Sequence, residues 1–361
     1  MRIAYVINST EGGGAAFPVP AITRVLRQAG HEVAVFALTR RDGRAEKPMR
    51  DAGLEVFIRE GGRKDHLAAF FWLQKQIALW QPTHIWTSLT RATLLGQSVG
   101  QKRGIPVISW QHSAKLRPPN DTLLRLRRNA SCLWIGDSDY VTQATRIQLG
   151  IPADRLMCWP IFHARASAPQ SHPWQAGETI RLGSVGRLHP VKGYDTLCLA
   201  LAQLKQKDAL PPFHLTIAGE GEERAKLEAL VRLHGLQNEV SLPGFCSDTG
   251  AFLAEQHLYL QPSHWEGFCM AAHEAMQAGL PVISSAVGEL TRSVQPGVTG
   301  WTVPPRNTEA LLACLAQALA RPETLHQMGQ AAKSYVFSHF NEDAFTKAGQ
   351  AVLARLTQIA P

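Results

Sequence analysis

The chain has 361 residues, of which 45 % are hydrophobic and 18 % charged, and its formal net charge is +8. This length and composition exclude a disordered polymer and suggest two domains, and no apolar run reaches the roughly 18 residues of a spanning helix. The charge is uneven: residues 1–170 hold 23 Lys and Arg against 12 Asp and Glu, whereas residues 171–361 hold 14 against 17, so the first half is the part suited to an anionic ligand or surface.

Read in chain order, the pattern is strand, helix, strand, helix. Met1 to Asn8 is too short an apolar run for a secretion signal and reads as a first strand. Strands are predicted at 2–8, 32–38, 55–59, 84–88, 107–111, 133–136 and 156–160, most of them short and continuously apolar, as strands covered on both faces are. Helices are predicted between them, for example at 15–29 and 64–80. The run 164–173, rich in Ala, Ser and Pro, has the chemistry of a linker. The alternation then resumes, with strands at 181–186, 214–218, 240–242, 258–261, 281–284 and 301–303, and helices at 194–207, 222–233, 269–278 and 308–320. A last helix is predicted at 341–359. The expected fold is therefore α/β: two Rossmann-like doubly wound parallel-sheet domains facing a central cleft, with the ligand outside the carboxyl ends of the strands. The expected domains are 1–165, 175–340, and a C-terminal helix at 341–361 returning to the first. Six scattered cysteines form no CxxC pair, which argues against a zinc site or disulfide framework and suits a reducing compartment.

Four segments carry candidate chemistry. Gly12-Gly13-Gly14 follows the first strand and opens a helix; it lacks the third glycine of the dinucleotide fingerprint, so a phosphate or sugar cradle and a plain turn both stay open. Asp137-Ser138-Asp139 spells a metal-binding DxD, but it sits where a strand gives way to a helix, where Ser138 or Asp139 is a natural cap. Gly186-Arg187-Leu188 with Lys192-Gly193 follows the first strand of the second half; a planar guanidinium and an ammonium five positions apart suit phosphate oxygens, or are ordinary surface cations. In Pro262-Ser263-His264-Trp265-Glu266-Gly267-Phe268-Cys269-Met270, a strand ends, a loop presents Glu266 and Gly267, and a helix opens that carries Glu274 two turns on and stops at Gly279. Free N–H groups of that first turn can hold a diphosphate, and two carboxylates can grip hydroxyls on two parts of one ligand. His264 and His273 flank the pair without metal-ligand spacing.

Together these segments resemble the GT-B glycosyltransferases of family 4, also called group 1 glycosyl transferases, which retain configuration and use nucleotide-sugar donors. Glu266 and Glu274 match the family's E-x7-E motif, Gly186-Arg187-Leu188 with Lys192-Gly193 its G-R-L…K-G segment, Ala218-Gly219-Glu220-Gly221 its A-G-x-G loop, and Leu242-Pro243-Gly244-Phe245 its later G-F turn. The likeness is dense over residues 178–320 and weaker before them. It implies that Glu274 binds the ribose and Glu266 a hydroxyl of the donor sugar. It implies that the backbone at Gly267, Phe268, Cys269 and Met270 meets sugar and phosphates, together with Gly13, Gly14 and Gly219. Arg187 and Lys192 would neutralise the diphosphate, Phe245 and Cys246 would line the base pocket, and His112 would touch the donor sugar, unless it is a core histidine. Two departures stand out: Arg292 occupies a usual Glu position, and Pro160-Ile161-Phe162-His163 replaces a usual P-N-G.

The expected activity is transfer of a sugar from a nucleotide diphosphate sugar, such as a UDP-sugar, to a glycan or glycolipid acceptor in envelope polysaccharide or lipopolysaccharide synthesis. No cofactor or metal is required and no nucleic acid is expected. Two cation clusters, one at Arg40, Arg41, Arg44, Lys47 and Arg50 and one at Lys115, Arg117, Arg125, Arg127 and Arg128, are solvated faces or a contact with an anionic membrane, which would place a cytoplasmic enzyme on the inner face of the cell membrane. The competing functions are a sugar-nucleotide epimerase of similar fold and a catalytically silent glycan-binding protein.

Overall fold

In the computed structural model, residues 1–206 and 210–359 are described. Contacts divide the chain into two units, Met1–Phe162 with Asp343–Pro361, and His163–Glu342.

The first unit runs β1 (Arg2–Ile7), α1 (Val19–Gln28), β2 (Glu32–Ala37), α2 (Glu46–Asp51), β3 (Glu55–Ile58), α3 (His66–Trp80), β4 (His84–Ser88), α4 (Thr90–Arg103), β5 (Val107–Gln111), α5 (Asn120–Leu126), β6 (Leu133–Gly136), α6 (Asp139–Leu149) and β7 (Leu156–Cys158). Its strands form one parallel sheet in the order β3-β2-β1-β4-β5-β6-β7. Strand residues such as Ile3 to Ile7 are fully buried, because helices cover both faces of a parallel sheet. The predicted strands match the observed ones to within two residues. The helix expected from residue 15 begins only at Val19. Pro18 and Pro20 explain the delay: proline lacks the N–H that a helix interior needs and disfavours helical geometry in the residue before it, so it is tolerated only in the first turn.

The second unit runs β8 (Ile180–Val185), α7 (Tyr194–Leu204), β9 (Phe213–Ala218), α8 (Arg224–Leu233), β10 (Val240–Gly244), α9 (Thr249–Ala254), β11 (Leu258–Gln261), α10 (Met270–Gln277), β12 (Val282–Ser285), α11 (Leu290–Ser293), β13 (Gly300–Val303), α12 (Thr308–Leu319) and α13 (Leu325–His339). Its parallel sheet has the order β10-β9-β8-β11-β12-β13, around a core that includes Leu182, Leu201, Leu215, Leu260 and Leu315. The helix expected at 194–207 ends at Leu204, and Lys207 lies outside the described residues. The stretch 164–173 is no free linker but part of this unit. Ala164 N donates to Phe340 O at 2.6 Å, Ser171 N to Ala278 O at 2.8 Å, and Ser171 Oγ to Gly279 O at 3.0 Å.

The last helix, α14 (Glu342–Gln358), packs in the first unit. Phe345 lies against Trp159, with ring centres 5.5 Å apart, and Arg355 donates to Asp154 O at 2.9 Å. The expected extension of this segment to residues 360 and 361 lies outside the described residues.

Candidate functional site

Each sheet reverses its strand order once, between β1 and β4 in the first unit and between β8 and β11 in the second. Connections leave such a point in opposite directions and open a crevice outside the carboxyl ends of the two strands. In the second unit, the segment from Gly186 to Gly193 follows β8 and that from Pro262 to Cys269 follows β11. The fold therefore brings the two strongest sequence motifs together.

Their contact is close. A Cβ at Gly193 would sit 2.2 Å from Pro262 O, and Gly193 has φ +66°, so only glycine fits there. His264 N donates to Val191 O at 2.7 Å, which ties the loops together. Across the seam, Lys192 Nζ donates to Glu266 Oε1 at 2.8 Å. Ser263 Oγ donates to the same oxygen at 2.6 Å and Gln261 Nε2 at 3.2 Å. Gln261 is itself held by Tyr259 OH at 2.9 Å, and Tyr259 reaches the backbone of Val185 at 3.2 Å. A buried polar chain thus runs from β8 through β11 to Glu266. All three donors converge on Oε1, and none of these bonds goes to Oε2. Burial works against the Lys192 ammonium, but the charge of Glu266 and the groups beside it outweigh that and hold the pKa above the usual lysine range. Arg187 is exposed and makes no hydrogen bond or ion pair among the described residues.

Gly267 lies under α11: Glu289 N donates to Gly267 O at 2.9 Å, and a Cβ at Gly288 would come within 2.4 Å of that oxygen. Phe268 is buried and stacks on His273 at 4.0 Å. Cys269 has the left-handed φ of +68° and stands before Met270, the first residue of α10. No side-chain oxygen caps this helix, so an anion can supply the missing acceptor. Burial, then the charge of Glu266, pushes the Cys269 thiol well above its ordinary range. Glu274, one face along α10, has its pKa raised by burial, offset in part by Arg165.

His273 is a core histidine. It is fully buried, Nδ1 lies 3.0 Å from Cys269 O, and Ser293 Oγ lies 2.8 Å from Nε2. Burial pushes its pKa down to about 4. Among the described residues, no three His, Cys, Asp or Glu side chains converge as metal ligands. Gly219 serves loop packing, since a Cβ there would sit 1.9 Å from Gly186 O. Phe245 stands exposed after the edge strand β10, and Cys246 Sγ donates to Asp248 O at 3.2 Å. Arg292 is on α11, exposed.

In the first unit, Gly13 and Gly14 are exposed in the turn before α1, and Gly13 O accepts from Ala16 and Phe17 N–H. His112, just after β5, is nearly buried. Ser88 Oγ lies 2.7 Å from its Nε2, Asp137 Oδ2 3.5 Å from its Nδ1, and its ring stacks on Trp110. Burial raises the pKa of Asp137, with His112 opposing. Ser138 caps α6 by accepting from Val141 N at 3.1 Å, so the DxD run is a helix start. The cluster at Arg40 is not a free basic face: Arg40 pairs with Glu46 and Glu60, Arg41 with Glu11, Arg44 with Asp42, Lys47 with Asp51, and Arg50 with Glu46.

Sequence reasoning missed Tyr259, Gln261 and Ser263 beneath Glu266 and Ser88 beside His112, and it read Asp137 only as part of a DxD run and not as a neighbour of His112. Ser263, three residues before Glu266, was the one visible hint; the others meet their partners only through the sheet.

Residues 168–335 match the family model for glycosyl transferases group 1, and residues 12–162 that for glycosyltransferase family 4. A glycogen synthase of Mycobacterium tuberculosis is 32 % identical over 217 residues, 59 % of this chain and 49 % of that protein. The amylovoran biosynthesis glycosyltransferase AmsK of Erwinia amylovora is 30 % identical over 187 residues, 50 % of this chain and 46 % of that protein. The match thus spans about half the length of these relatives. Among solved structures, Anabaena Alr3699/HepE in complex with UDP-glucose is similar with a TM-score of 0.82 at 20 % identity, over 98 % of this chain and 99 % of that one. With two doubly wound units and both family models matched along its length, this chain belongs to the GT-B glycosyltransferases of family 4, the group 1 glycosyl transferases.

Proposed function

We propose that the chain is a retaining glycosyltransferase that moves a sugar from a nucleotide diphosphate sugar to a glycan or glycolipid acceptor in cell-envelope polysaccharide or lipopolysaccharide synthesis. The observation that carries this reading is the joint at the β8–β11 reversal, where Lys192 pairs with Glu266 and the loop that holds Lys192 also presents the exposed, unpartnered Arg187. The donor named in the HepE complex and the polysaccharide named in AmsK agree with it.

Glu274 accepts from the ribose hydroxyls, and Oε2 of Glu266 accepts from a hydroxyl of the donor sugar. The diphosphate lies against the first turn of α10 with Arg187 and Lys192. As the glycosidic bond breaks, the sugar becomes oxocarbenium-like and the diphosphate gathers charge. Cations and N–H groups already aimed at it lower the barrier without reorganising. Glu266 Oε1 is occupied by three donors, which suits a binding carboxylate better than a nucleophile. The favoured course is therefore attack on the face the diphosphate leaves, with the leaving phosphate taking the acceptor's proton. His112 contacts the donor sugar, Gly13 and Gly14 contribute backbone to donor binding, and Phe245 and Cys246 line the pocket for the base.

The test is thermal-shift screening against UDP, GDP, ADP and their sugars, followed by turnover with the stabilising donor. Arg187→Ala should fold and lose about a thousandfold in kcat; unchanged turnover would count against the reading. Formation of an epimerised sugar nucleotide without acceptor would point to an epimerase. Binding with no turnover at all would point to a silent glycan-binding protein.

A further inference from the structure

The helix α3 departs from the pattern of a surface helix. Ala69, Leu73, Ile77 and Trp80 face the core, and polar groups are expected opposite them. The opposite side instead carries Leu67, Phe71 and Leu79, exposed by 76, 63 and 69 %. These lie four and eight residues apart, and Lys75 fills the gap, so the four side chains form one stripe. The sequence of α3 contains no acidic residue, and neither does that of α4. Arg63 and Lys64 stand exposed just before the first turn, and with Lys75 they make no side-chain hydrogen bond or ion pair among the described residues. Lys102 and Arg103, at the end of α4, reach Gln74 on the flank of the stripe. Contacts run from α3 to α4, α4 to α5 and α5 to α6. On α5 the same layer exposes Leu126 by 75 % beside Arg125.

Of the two cation clusters that the sequence offers, the one around Arg40 is therefore not the available charge of the first unit. The arginines around Arg40 are neutralised by their own carboxylates, while Arg63, Lys64 and Lys75 have no carboxylate partner among the described residues and frame an apolar stripe. A second copy is a poor occupant. In a two-fold interface this face would meet itself, setting cations against cations with no carboxylate on α3 or α4 to pair them. An anionic bilayer supplies both what the stripe lacks and what the cations lack: an apolar layer, and phosphates at its edge.

We propose that the α3 face of the first unit docks on an anionic lipid bilayer, with Leu67, Phe71 and Leu79 entering the headgroup–acyl boundary and Arg63, Lys64 and Lys75 meeting lipid phosphates. Among the described residues no helix is long and apolar enough to cross a membrane, so the contact lies in the interface plane. This inference does not depend on the donor chemistry of the second unit.

The test is co-sedimentation of the full chain with vesicles of phosphatidylcholine, with and without phosphatidylglycerol, at low and high salt. Binding should require phosphatidylglycerol and fall with salt. Leu67→Ser, Phe71→Ser and Leu79→Ser together should weaken it about tenfold or more. Arg63→Glu, Lys64→Glu and Lys75→Glu together should remove the preference for the anionic lipid, whereas Arg40→Gln should leave it unchanged. All of these side chains except Arg40 are exposed, and the ring contact of Phe71 is with the neighbouring Phe70, so the serine and glutamate variants should keep the wild-type circular dichroism and the wild-type thermal shift with a nucleotide sugar. Absence of phosphatidylglycerol-dependent binding at low salt overturns the proposal. So does sedimentation showing a dimer that the serine variant makes monomeric.

Discussion

Three donors converge on one oxygen of Glu266, and the shortest of these bonds comes from a serine. Ser263 Oγ donates to Oε1 at 2.6 Å and accepts from Gln261 Nε2 at 2.7 Å. Removing the hydroxyl frees the carboxylate to rotate and leaves Gln261 short of an acceptor. If the aim of Oε2 matters in the transition state, Ser263→Ala should lower kcat by about a hundredfold with little change in KM, and Ser263→Thr should restore most of it. A donor-binding assay alongside the kinetics separates this from a folding defect. Glu274 makes the opposite case. Its charge is disfavoured by burial and only partly offset by Arg165. A carboxyl whose pKa is raised on folding adds stability at low pH that is lost as the pH rises, so at neutral pH the ionised group weighs against the fold. Glu274→Gln should therefore raise the melting temperature of the free protein, while weakening nucleotide-sugar binding by about tenfold or more. A variant that melts lower and binds normally would remove Glu274 from the site.

At the scale of elements, α10 is held in place through His273, which bonds Ser293 on α11 and packs on Phe340 just beyond α13. Its folded pKa of about 4 lies below the unfolded value of 6.5, so the unfolded chain binds the proton first. Stability is full above about pH 6.5 and is lost as the pH falls from there to about 4, by about 3 kcal/mol for this one group. His257 is depressed to about 4 as well, by burial and then Arg181, and acts in the same direction. Urea unfolding at about pH 7.5 and about pH 5 should thus show a drop in stability that is smaller in His273→Gln. The elements themselves were largely legible. Buried parallel strands are short apolar runs between turn residues, and such runs as Val107 to Gln111 and Leu258 to Gln261 were placed to the residue. The helix starts were less so, because Pro18 and Pro20 and the turn before Val19 satisfy a helical pattern without forming one. In the candidate site, the segments that bring Lys192 to Glu266 were legible because each is a contiguous motif. The polar chain beneath Glu266 was not, because Tyr259, Gln261 and Ser263 alternate along one strand end like any buried strand with a few polar residues.

At the scale of the whole molecule, the chain builds the same plan twice and then returns to the first copy with α14. That return closes the buried tryptophan face of the first sheet, where Trp86, Trp110 and Trp159 lie within 6.0 Å of one another by ring centre. The helix can approach because residue 349 is glycine: a Cβ there would meet Trp159 at 2.5 Å and Val25 at 2.8 Å. Gly349→Leu adds a branched side chain where not even a methyl fits. It should push α14 off Trp159 and lower stability by about 1–3 kcal/mol or more. The closure joins residues from the two ends of the sequence, so the first unit cannot complete its core until the last helix has been made, whereas the core of the second unit lies entirely within His163–Glu342. The damage from Gly349→Leu should fall on the first unit, which holds six of the nine tryptophans: most of the tryptophan fluorescence change should move to lower urea, while nucleotide-sugar affinity of the folded variant stays at the wild-type value. A matched loss of nucleotide affinity without urea would show instead that the donor site depends on the first unit's core.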